Sequence, residues 1–373
     1  MKISIKVSLL RALLKKVDDS VKSSAQKNPQ YSNILISCSR DSAYLAGVNT
    51  ESTVQVIIPS DEIDEFEDGS ICAPMKKLTQ IMAKYDTDSI VTITKLDEFS
   101  AQVKQGRSRQ KLSCIQAREF AYSPNLENPK SVVELVRKDF ASALNHVATV
   151  TNKFTTDDRL KGVSLKASTH SFRLASSDGH RVAKTDFSGC FEAEFNRLIP
   201  HESATAIAKL ASTVKSEMIV LGVTDNHCVV SIDGVTLRTK LINDKPIDYD
   251  KFIVENGSSV FVNRDELATS VNLTLPILLD GKFPKIALTV SDSTVGVKAE
   301  DQNGVDHMYT EVDCNYDGAP FEIGINPLYL RSAIEAISEA TIKLIYDPSQ
   351  SAVISVIGKN SCSTSHHIMP IKL

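Results

Sequence analysis

The chain repeats one pattern of secondary structure three times, and this repetition limits its possible folds more than any other feature. In each copy a helix is predicted to begin beside a proline, at Pro74, at Pro200 and at Asn326, which precedes Pro327. Proline suits the first turn of a helix because the amide hydrogen that it lacks has no partner there. Both intervals are 126 residues, far above the roughly 20–50 residues of solenoid repeats. The sequence therefore predicts three whole domains in tandem.

The order of elements is also the same in the three copies. Each opens with a short strand and an amphipathic helix and continues with segments in which apolar and polar residues alternate, as half-buried strands do. We expect the order β-α-β-β-β twice in each copy, which gives α+β domains with two helices and antiparallel sheets. Turn-forming residues surround Pro129 and Gly257. The predicted domains are 1–129, 130–256 and 257–373.

Basic residues are concentrated in the predicted helices. These helices carry thirteen basic and six acidic residues, although the whole chain has a net charge of −4. They comprise residues 6–17, 74–85, 137–147, 201–215, 264–272 and 327–340. One interpretation is that lysines solvate exposed helix faces, and the other is an electropositive surface for a polyanion. Since aromatic residues make up 6% of the chain and tryptophan is absent, contact with duplex phosphates is favoured over stacking on single-stranded bases.

Motifs of catalysis are absent from the sequence. It contains no phosphate-binding glycine loop, no dinucleotide fingerprint, no zinc-protease helix and no nucleophile elbow. Asp178 and His180 are hydrolase-type residues, but the Asp-Gly pair at this point is also typical of a hairpin turn. The stretch Asp61–Gly69 lacks the alternation of a calcium loop, so we interpret it as a solvated acidic connection. His366 and His367 would point to opposite faces of a strand, which disfavours a shared metal.

The sequence also predicts a cytoplasmic location. No apolar run approaches the ~18 residues of a membrane span, and Lys6 and Arg11 interrupt the core of any signal peptide. The seven cysteines include no Cys-x-x-Cys pair, so neither a zinc ribbon nor a thioredoxin-like redox site is expected. Isolated cysteines among apolar residues are typical of buried side chains in a reducing compartment. We therefore expect no metal, no cofactor and no membrane partner.

Four local motifs resemble one protein family. They are Gly106-Arg-Ser-Arg, Asp178-Gly-His-Arg-Val-Ala, Glu322-Ile-Gly-Ile-Asn-Pro-Leu-Tyr and the ending Met369-Pro-Ile-Lys-Leu. Together with the three α+β copies, they make the chain similar to the bacterial sliding clamps, the beta subunits of DNA polymerase III. The resemblance covers essentially the whole chain, in order.

This resemblance implies a non-catalytic processivity factor. Three DNA-clamp domains would form a crescent, and two crescents would associate head to tail as a homodimer into a ring around duplex DNA. Helices would line the hole and contact DNA without preference for its base sequence. Sheets would form the outer surface. The implied partners, besides DNA and a second copy, are the clamp loader and replicative and repair polymerases. These partners would insert short apolar peptides into a pocket between the second and third domains.

The resemblance also assigns site residues by matched position. The pocket residues are Leu160, Ser177, Gly179, His180, Arg181, Val182, Ile247, Lys251, Phe252, Asn326, Tyr329, Val353, Ile368, Met369, Pro370, Ile371 and Leu373. The residues expected to face DNA are Arg11, Lys15, Lys76, Lys77, Lys138, Lys153, Arg159 and Lys209. The residues expected at the dimer interface are Gln110, Leu112, Ile277 and Leu278. Lys251 and Phe252 stand where the family usually has Arg and Val, which predicts a narrower pocket and an altered peptide preference.

Two other functions stay open at this point. A hydrolase would use Asp178 and His180, and a turnover that is lost in His180→Ala would support it. A monomeric clamp-like scaffold of a mobile element would bind partners without encircling DNA. The first-domain edge carries Gln110 where the family has an aromatic residue, and residues 301–311 are less acidic than in the family. The mass of the protein in solution distinguishes this scaffold from a ring.

Overall fold

The computed structural model describes most of the chain. The described residues are 1–21, 29–40, 42–122, 129, 131–254, 256–278, 284–301, 303–347, 353–359 and 363–373. Within these ranges lie the helices α1 (Val7–Val21), α2 (Met75–Met82), α3 (Arg137–Ala148), α4 (His201–Thr213), α5 (Arg264–Leu278) and α6 (Pro327–Glu335). Asn128, Lys130 and Glu255, which stand at the predicted domain boundaries, lie outside the described residues, as does Cys362.

All the strands of the described residues pair in antiparallel sheets. They are β1 (Lys2–Lys6), β2 (Asn33–Cys38), β3 (Ala43–Val48), β4 (Ser52–Ile58), β5 (Ile63–Glu67), β6 (Gly69–Pro74), β7 (Ile90–Asp97), β8 (Ser100–Gln105), β9 (Ser108–Ser113), β10 (Ser131–Val136), β11 (Gly162–Ser168), β12 (Ser171–Ser177), β13 (Arg181–Ser188), β14 (Phe195–Pro200), β15 (Met218–Val223), β16 (His227–Ile232), β17 (Val235–Lys240), β18 (Ser258–Asn263), β19 (Ile286–Val290), β20 (Thr294–Glu300), β21 (His307–Asn315), β22 (Phe321–Ile325), β23 (Thr341–Tyr346), β24 (Ile354–Lys359) and β25 (Ser363–Ile368).

The chain divides into two compact units, residues 1–142 with 202–243 and residues 143–201 with 244–373. The first unit has a five-stranded sheet, in the order β5-β1-β7-β8-β9, and an eight-stranded sheet, in the order β10-β15-β16-β17-β4-β3-β2-β6. The second unit has a twelve-stranded sheet, in the order β14-β11-β12-β13-β25-β24-β23-β18-β21-β20-β19-β22. The three predicted domains stay a prediction, and the two units cut across the second copy.

Two pairs of strands join one copy to the next, and we call them seams. In the first unit β17 pairs with β4, from Val235 opposite Val56 to Thr239 opposite Ser52. In the second unit β13 pairs with β25, with Arg181 opposite Ile368 at one end. In each seam, a strand that closes one half of a copy meets its counterpart in the neighbouring copy. The hydrogen bonds of the sheets therefore continue from one copy into the next.

The second and third copies have the predicted order of elements, β-α-β-β-β twice. The first copy has one strand more, because β5 lies between β4 and β6 and pairs with β1, with Ile3 opposite Phe66. The interpretation of Asp61–Gly69 as a connection was therefore wrong. The carboxylates of β5 are exposed because β5 is the edge strand of its sheet. Glu65 forms an ion pair with Lys2, with 2.7 Å between Oε1 and Nζ. From the sequence alone, an edge strand that is rich in charged residues is difficult to distinguish from a loop.

An arginine of the first helix holds the end of the second helix in each copy. Arg137 and Arg264 are the first residues of α3 and α5, whereas Arg11 lies one turn inside α1. Their guanidinium groups donate at 2.7, 2.7 and 3.0 Å to carbonyls that have no partner within the helix. The acceptors of Arg11, Arg137 and Arg264 are Tyr85, Ala211 and Ile337, which are 126 residues apart. Arg11 therefore has a structural role in the first copy, which the sequence analysis did not foresee.

The observed helix bounds change the charge balance that the sequence predicted. The six helices carry ten basic and seven acidic residues, because α1 extends through Asp18 and Asp19, while Lys6, Lys84 and Lys215 lie outside the helices. The excess of +3 is smaller than the +7 of the predicted bounds. The helical residues of the first unit contribute +4, and α5 and α6 in the second unit contribute −1. Positive helix charge therefore belongs to the first unit.

Candidate functional site

A cavity of about 360 Å³ lies in the second unit, at the end of the seam between β13 and β25. It is lined by Asp157, Leu160, Ser177, Gly179, His180, Arg181, Val182, Ile247, Tyr249, Lys251, Phe252, Ile253, Val254, Val353, His367 and Met369. Nine of these sixteen side chains are aliphatic, aromatic or methionine. Apolar walls with a few convergent polar groups are typical of sites that bind small ligands or peptide side chains.

The turn between β12 and β13 forms one wall of the cavity. The Asp178 carboxylate accepts hydrogen bonds from the amides of His180 and Arg181 at 2.9 and 3.1 Å. Gly179 has a φ of +94°, a left-handed conformation that side chains other than hydrogen rarely adopt. The Asp-Gly pair thus forms a hairpin turn, as one of its two interpretations predicted. Because the turn and Arg181 engage the carboxylate, this geometry gives no support to the hydrolase hypothesis.

Arg181 carries the charge of this wall. Its Nε donates to Asp178 Oδ2 at 2.9 Å, and its guanidinium carbon lies 4.4 Å from the centre of the Tyr329 ring, where the π-electrons attract a cation. Burial raises the pKa of Tyr329, and the Asp178 carboxylate raises it further. The Nη1 of Arg181 is buried and has no hydrogen-bond partner among the described residues. A buried donor without an acceptor costs about 1–3 kcal/mol, so an acceptor from a ligand would be favoured here.

The 3-10 turn Tyr249–Phe252 forms a second wall. Tyr249 is 5% exposed and packs against Val182, and its hydroxyl is buried without a partner among the described residues. Burial raises the pKa of this hydroxyl, so it is a donor at neutral pH. Phe252 is 47% exposed, and Lys251 beside it is also exposed. A large phenyl ring is therefore exposed in this wall. Two residues that line the cavity, Arg181 and Tyr249, each carry a buried donor without a partner among the described residues.

The C-terminal strand completes the cavity. After β25 ends at Ile368, the Met369 amide donates to the His180 carbonyl at 3.0 Å, which extends the seam by one residue. This bond places the half-exposed Met369 side chain in the cavity, next to the buried Val353 and His367. Methionine adapts its shape to different partners because it is unbranched and polarizable.

Eleven of the seventeen residues that the sequence assigned to the pocket line this cavity. They are Leu160, Ser177, Gly179, His180, Arg181, Val182, Ile247, Lys251, Phe252, Val353 and Met369. Tyr329 is connected to it through Arg181. The structure brings these residues together, and their role in partner binding stays a prediction.

The other five lie elsewhere for identifiable reasons. Asn326 caps α6 by accepting a hydrogen bond from the Leu328 amide at 2.9 Å, and Ile368 is fully buried in the core of the third copy. Ile371 forms a β-bridge with Gly324. Pro370 follows the last strand, and Leu373 lines a different cavity, which is described below.

Sequence matching did not identify five of the residues that line the cavity. They are Asp157, Tyr249, Ile253, Val254 and His367. The usable signal for Tyr249 was its place between the assigned residues Ile247 and Lys251, since residues 249–252 form a 3-10 turn and not an extended segment. Asp157 had no such signal, since its position depends on its ion pair with Arg159, at 2.7 Å.

The eight basic residues expected to face DNA differ in their contacts. Lys15, Lys76, Lys77 and Lys138 are exposed, and within the described ranges they form no ion pair; all four belong to the first unit. Lys209 pairs with Asp19 at 2.6 Å, and Arg159 pairs with Asp157. Arg11 donates to helix carbonyls, and Lys153 is exposed on the loop after α3. The four exposed lysines therefore present the least neutralised charge.

The residues expected at the dimer interface lie in two places, on an edge strand of the first unit and at the end of a helix of the second unit. Gln110 and Leu112 are on β9, the last strand of the five-stranded sheet. Ile277 and Leu278 end α5 and line a cavity of about 810 Å³ in the second unit, together with charged residues that include Lys298 and Glu300.

The strand β21 also has an incompletely paired edge, although it lies inside its sheet. It pairs with β20 over seven residues, from Thr294 opposite Asp313 to Glu300 opposite His307. On its other side only Asn315 and Cys314 pair, with β18. By their place in the order of elements, β9 and β21 are the counterparts of the strands that form the two seams.

Other features of the described residues bear on metal and membrane binding. They contain no group of three or more histidine, cysteine or acidic side chains that could hold a metal. His366 contacts His146, whereas His367 contacts Ser355 and Ser365, so the two adjacent histidines face opposite sides of β25, as predicted. No helix in the described ranges has the length and apolar character that crossing a membrane requires.

The cysteines of the described residues are free thiols. Cys38, Cys72, Cys114 and Cys228 are buried, as expected, whereas Cys190 is exposed. Burial raises the pKa of the Cys38 thiol to about 11 and that of Cys228 to about 12. These thiols are therefore protonated at neutral pH and are poor nucleophiles.

Comparisons with known proteins agree with this architecture. Residues 1–126, 134–246 and 254–372 match the family models described as the N-terminal, central and C-terminal domains of the DNA polymerase III beta subunit. A curated relative from Pseudomonas putida, named beta sliding clamp, is 27% identical over 360 residues, which cover 93% of this chain and 94% of the relative. A beta sliding clamp from Haemophilus influenzae is 24% identical over 353 residues, with 92% and 93% covered.

Solved structures show the same fold. A DNA polymerase sliding clamp from Pseudomonas aeruginosa with a ligand superposes with a TM-score of 0.91 at 21% identity, and the whole of each chain is covered. A sliding clamp from the same organism, bound to griselimycin, gives a TM-score of 0.89 at 21% identity, again over the whole of each chain. The chain thus has an α+β fold of three clamp domains.

Proposed function

Because the chain belongs to the DNA polymerase III beta subunit family, we propose that it is a sliding clamp for DNA replication in the cytoplasm. It has no catalytic activity of its own. Two copies associate head to tail around duplex DNA, and polymerases, repair proteins and the clamp loader bind through the cavity beside the seam of β13 and β25. The observation that carries this proposal is the cavity itself, which combines apolar walls with the unpartnered donors of Arg181 and Tyr249.

The two buried donors define the chemistry of the ligand. Apolar side chains of a peptide would pack against Ile247, Val353 and Met369, and backbone carbonyls or a carboxylate would accept hydrogen bonds from Arg181 Nη1 and Tyr249 Oη. A purely apolar ligand would leave both donors unpaired and would bind less tightly. A Pseudomonas aeruginosa sliding clamp has been solved with griselimycin bound, and we propose that this chain binds griselimycin in the cavity.

The substitution Met369→Ala tests the assignment of the cavity. It removes a half-exposed side chain from the cavity wall, and the loss of buried apolar contact should weaken griselimycin about tenfold, as measured by isothermal titration calorimetry. Met218→Ala is the matched control, because Met218 is also partly exposed but lies on β15 in the first unit. Equal affinity in the Met369→Ala variant and the wild type would refute the assignment.

Charge and strand order support the head-to-tail dimer. The exposed residues of β9 include Arg109 and Lys111, whereas those of β21 include Glu311 and Asp313. Gln110, between the two cations, is partly buried, and Leu112, next to Lys111, is buried. If β9 of one copy paired with β21 of another, the sheets would continue between molecules as they do through the two seams within a chain. Each dimer would then contain two such β9–β21 pairs, one at each junction between the copies, which closes the assembly.

Sedimentation equilibrium tests the ring. We expect twice the chain mass of 40.8 kDa, with dissociation favoured at high salt because the edges carry opposite charges. A monomer at every concentration from micromolar to nanomolar would refute the ring. Griselimycin binding by such a monomer would instead support the scaffold alternative, which binds partners without encircling DNA.

A further inference from the structure

Two buried histidines meet behind the cavity. His146 on α3 is 8% exposed and His366 on β25 is fully buried, and their ring centres are 4.3 Å apart. Their Nε2 atoms face each other in a hydrogen bond. His146 lies in the region that matches the central family domain, and His366 in the region that matches the C-terminal one. The pair therefore links two domains at the seam, where His366 stands opposite Ala183 of β13.

Hydrogen bonding selects one arrangement of protons in this pair. One Nε2 must donate and the other must accept, so both rings cannot be charged while the bond exists. His146 Nδ1 lies 3.4 Å from the Thr185 hydroxyl, whereas His366 Nδ1 is buried and has no partner among the described residues. A buried N–H without an acceptor is rarer than an unpaired acceptor. His366 therefore carries its proton on Nε2 and donates it to His146.

The surroundings oppose the addition of a proton to either ring. Burial, and then the positive charge of Arg181, lowers the pKa of His146 to about 4. Burial lowers the pKa of His366 well below its ordinary value, with smaller effects of His146, Arg181 and His367. The other charged groups of the elements packed here are Lys184 and Asp186 on β13 and Arg173 on β12, which act on His367, and Arg331 and Glu335 on α6, which pair with each other.

We propose that His146 and His366 are positioning residues of the cavity and form a lock that is closed only while both rings are neutral. An added proton would place a charge in the interior next to Arg181, and separation of β25 from β13 would relieve this cost by exposing the rings to water. The same two strands carry Arg181 and Met369 into the cavity, so separation would dismantle it. The effect on ligands rests on the proposed function, whereas the lock itself does not.

The direction of the pH dependence follows from the lowered pKa values. The unfolded or separated state binds protons near pH 6.5 and the closed state does not, so the lock is fully stable above this pH and weakens as the pH falls toward 4. Between pH 7.5 and 5.5 each ring should increase the opening equilibrium about tenfold, which gives up to about a hundredfold for the pair.

Hydrogen exchange of the full-length protein tests the lock without any ligand. Exchange of β13 and β25 is measured by mass spectrometry at pH 7.5 and 5.5, with each rate normalised to that of the unfolded chain at the same pH. Protection of the wild type should fall up to about a hundredfold at pH 5.5. The double variant His146→Leu and His366→Leu keeps the side-chain volume nearly unchanged. It should lose the share of this pH dependence that the pair contributes and keep at most about a tenfold share from His367, whose pKa is also lowered by burial. His170→Gln, at an exposed site in the same unit, should keep the whole pH dependence.

The proposal of a lock would be overturned if the double variant lost as much protection at pH 5.5 as the wild type. It would also be overturned if the wild type lost no protection at this pH. If the double variant does not fold, nuclear magnetic resonance of isotope-labelled histidines in the wild type decides instead. We expect His146 and His366 to stay neutral down to pH 5.5, with the His366 proton on Nε2. A charged ring at either position in the folded protein at this pH would contradict the proposal.

Griselimycin binding at the two pH values separates this inference from the proposed function. We expect the wild type to bind at pH 7.5 and to lose affinity at pH 5.5, and the double variant to lose much less affinity than the wild type. Equal binding at both pH values by the wild type would overturn the coupling of the lock to the cavity. Absence of binding at pH 7.5 would refute the proposed use of the cavity, and hydrogen exchange would still decide the lock.

Discussion

Tyr249 shows at the level of one residue how the cavity departs from an ordinary hydrophobic core. Its ring packs against Val182, yet its hydroxyl is buried without a partner among the described residues. The hydroxyl of a buried tyrosine usually has a hydrogen-bond partner, which offsets the cost of removing it from water. An unpartnered hydroxyl beside a cavity is therefore more useful to a ligand than to the fold.

The substitution Tyr249→Phe separates these two roles. Removal of an unpaired buried hydroxyl should leave the thermal unfolding midpoint unchanged or slightly raised. Griselimycin affinity should fall by about 0.5–1.5 kcal/mol if the ligand accepts the hydrogen bond. Calorimetry of unfolding and of binding measures the two effects. Phe252→Leu is a control at the same wall, because it changes packing and removes no donor. Unaltered affinity in Tyr249→Phe would show that the ligand ignores this hydroxyl.

Sequence reasoning succeeded at residues whose role follows from backbone conformation. The Asp178-Gly179 pair indicated a turn because glycine tolerates a positive φ, and the prolines indicated helix starts. It did not reveal the contacts of Arg11, because the charge of an arginine does not show whether its partner is a phosphate or a carbonyl of its own domain. The cap at Tyr85 is visible only once the two helices are packed.

Strands β9 and β21 are the elements on which assembly depends. One carries exposed cations and the other exposed carboxylates, so a charge exchange should show whether they meet. Arg109→Glu with Lys111→Glu should dissociate the dimer, and so should Glu311→Lys with Asp313→Lys, because like charges would face each other across the new pair. All four substitutions together should restore the dimer mass in sedimentation. Failure of this rescue, with both double variants folded, would count against the pairing.

The elements were predictable to different degrees. Strands such as β19 and β23 lie in segments where apolar and polar residues alternate, as the sequence indicated. Helix ends were less predictable, because α1 continues through Asp18 and Asp19 and α5 continues past Pro276. Helix ends depend on tertiary packing as well as on local residues. The net charge of the helices therefore differs between the predicted and the observed bounds.

At the scale of the whole molecule, positive helix charge lies in the first unit. The exposed lysines Lys76 and Lys77 belong to it, and Lys76→Ala with Lys77→Ala should weaken duplex binding and reduce the salt dependence of log Kobs by up to about 2. Fluorescence anisotropy over a series of salt concentrations measures this slope. Lys298→Ala with Lys343→Ala, on strands of the second unit, should leave it unchanged. Equal slopes for both pairs would show that DNA does not distinguish the units.

The repetition of the chain was readable in the sequence, whereas the seams were not. A period of 126 residues indicates three copies, but it does not say that β17 pairs with β4 or that β13 pairs with β25. These pairs join residues that are far apart in the sequence, and alternation is the same for a strand at an edge and a strand at a seam. The cavity was only partly predictable for the same reason, since it lies at a seam.

The seam between β4 and β17 joins the first two copies independently of the covalent link between them. The chain passes from β9 to β10 once, whereas the seam joins the copies by a ladder from Val235 opposite Val56 to Thr239 opposite Ser52. A gene split between these strands would still encode two polypeptides with complementary edges. Such fragments should find each other during synthesis, so fission of the gene would be a tolerable event in the evolution of this protein.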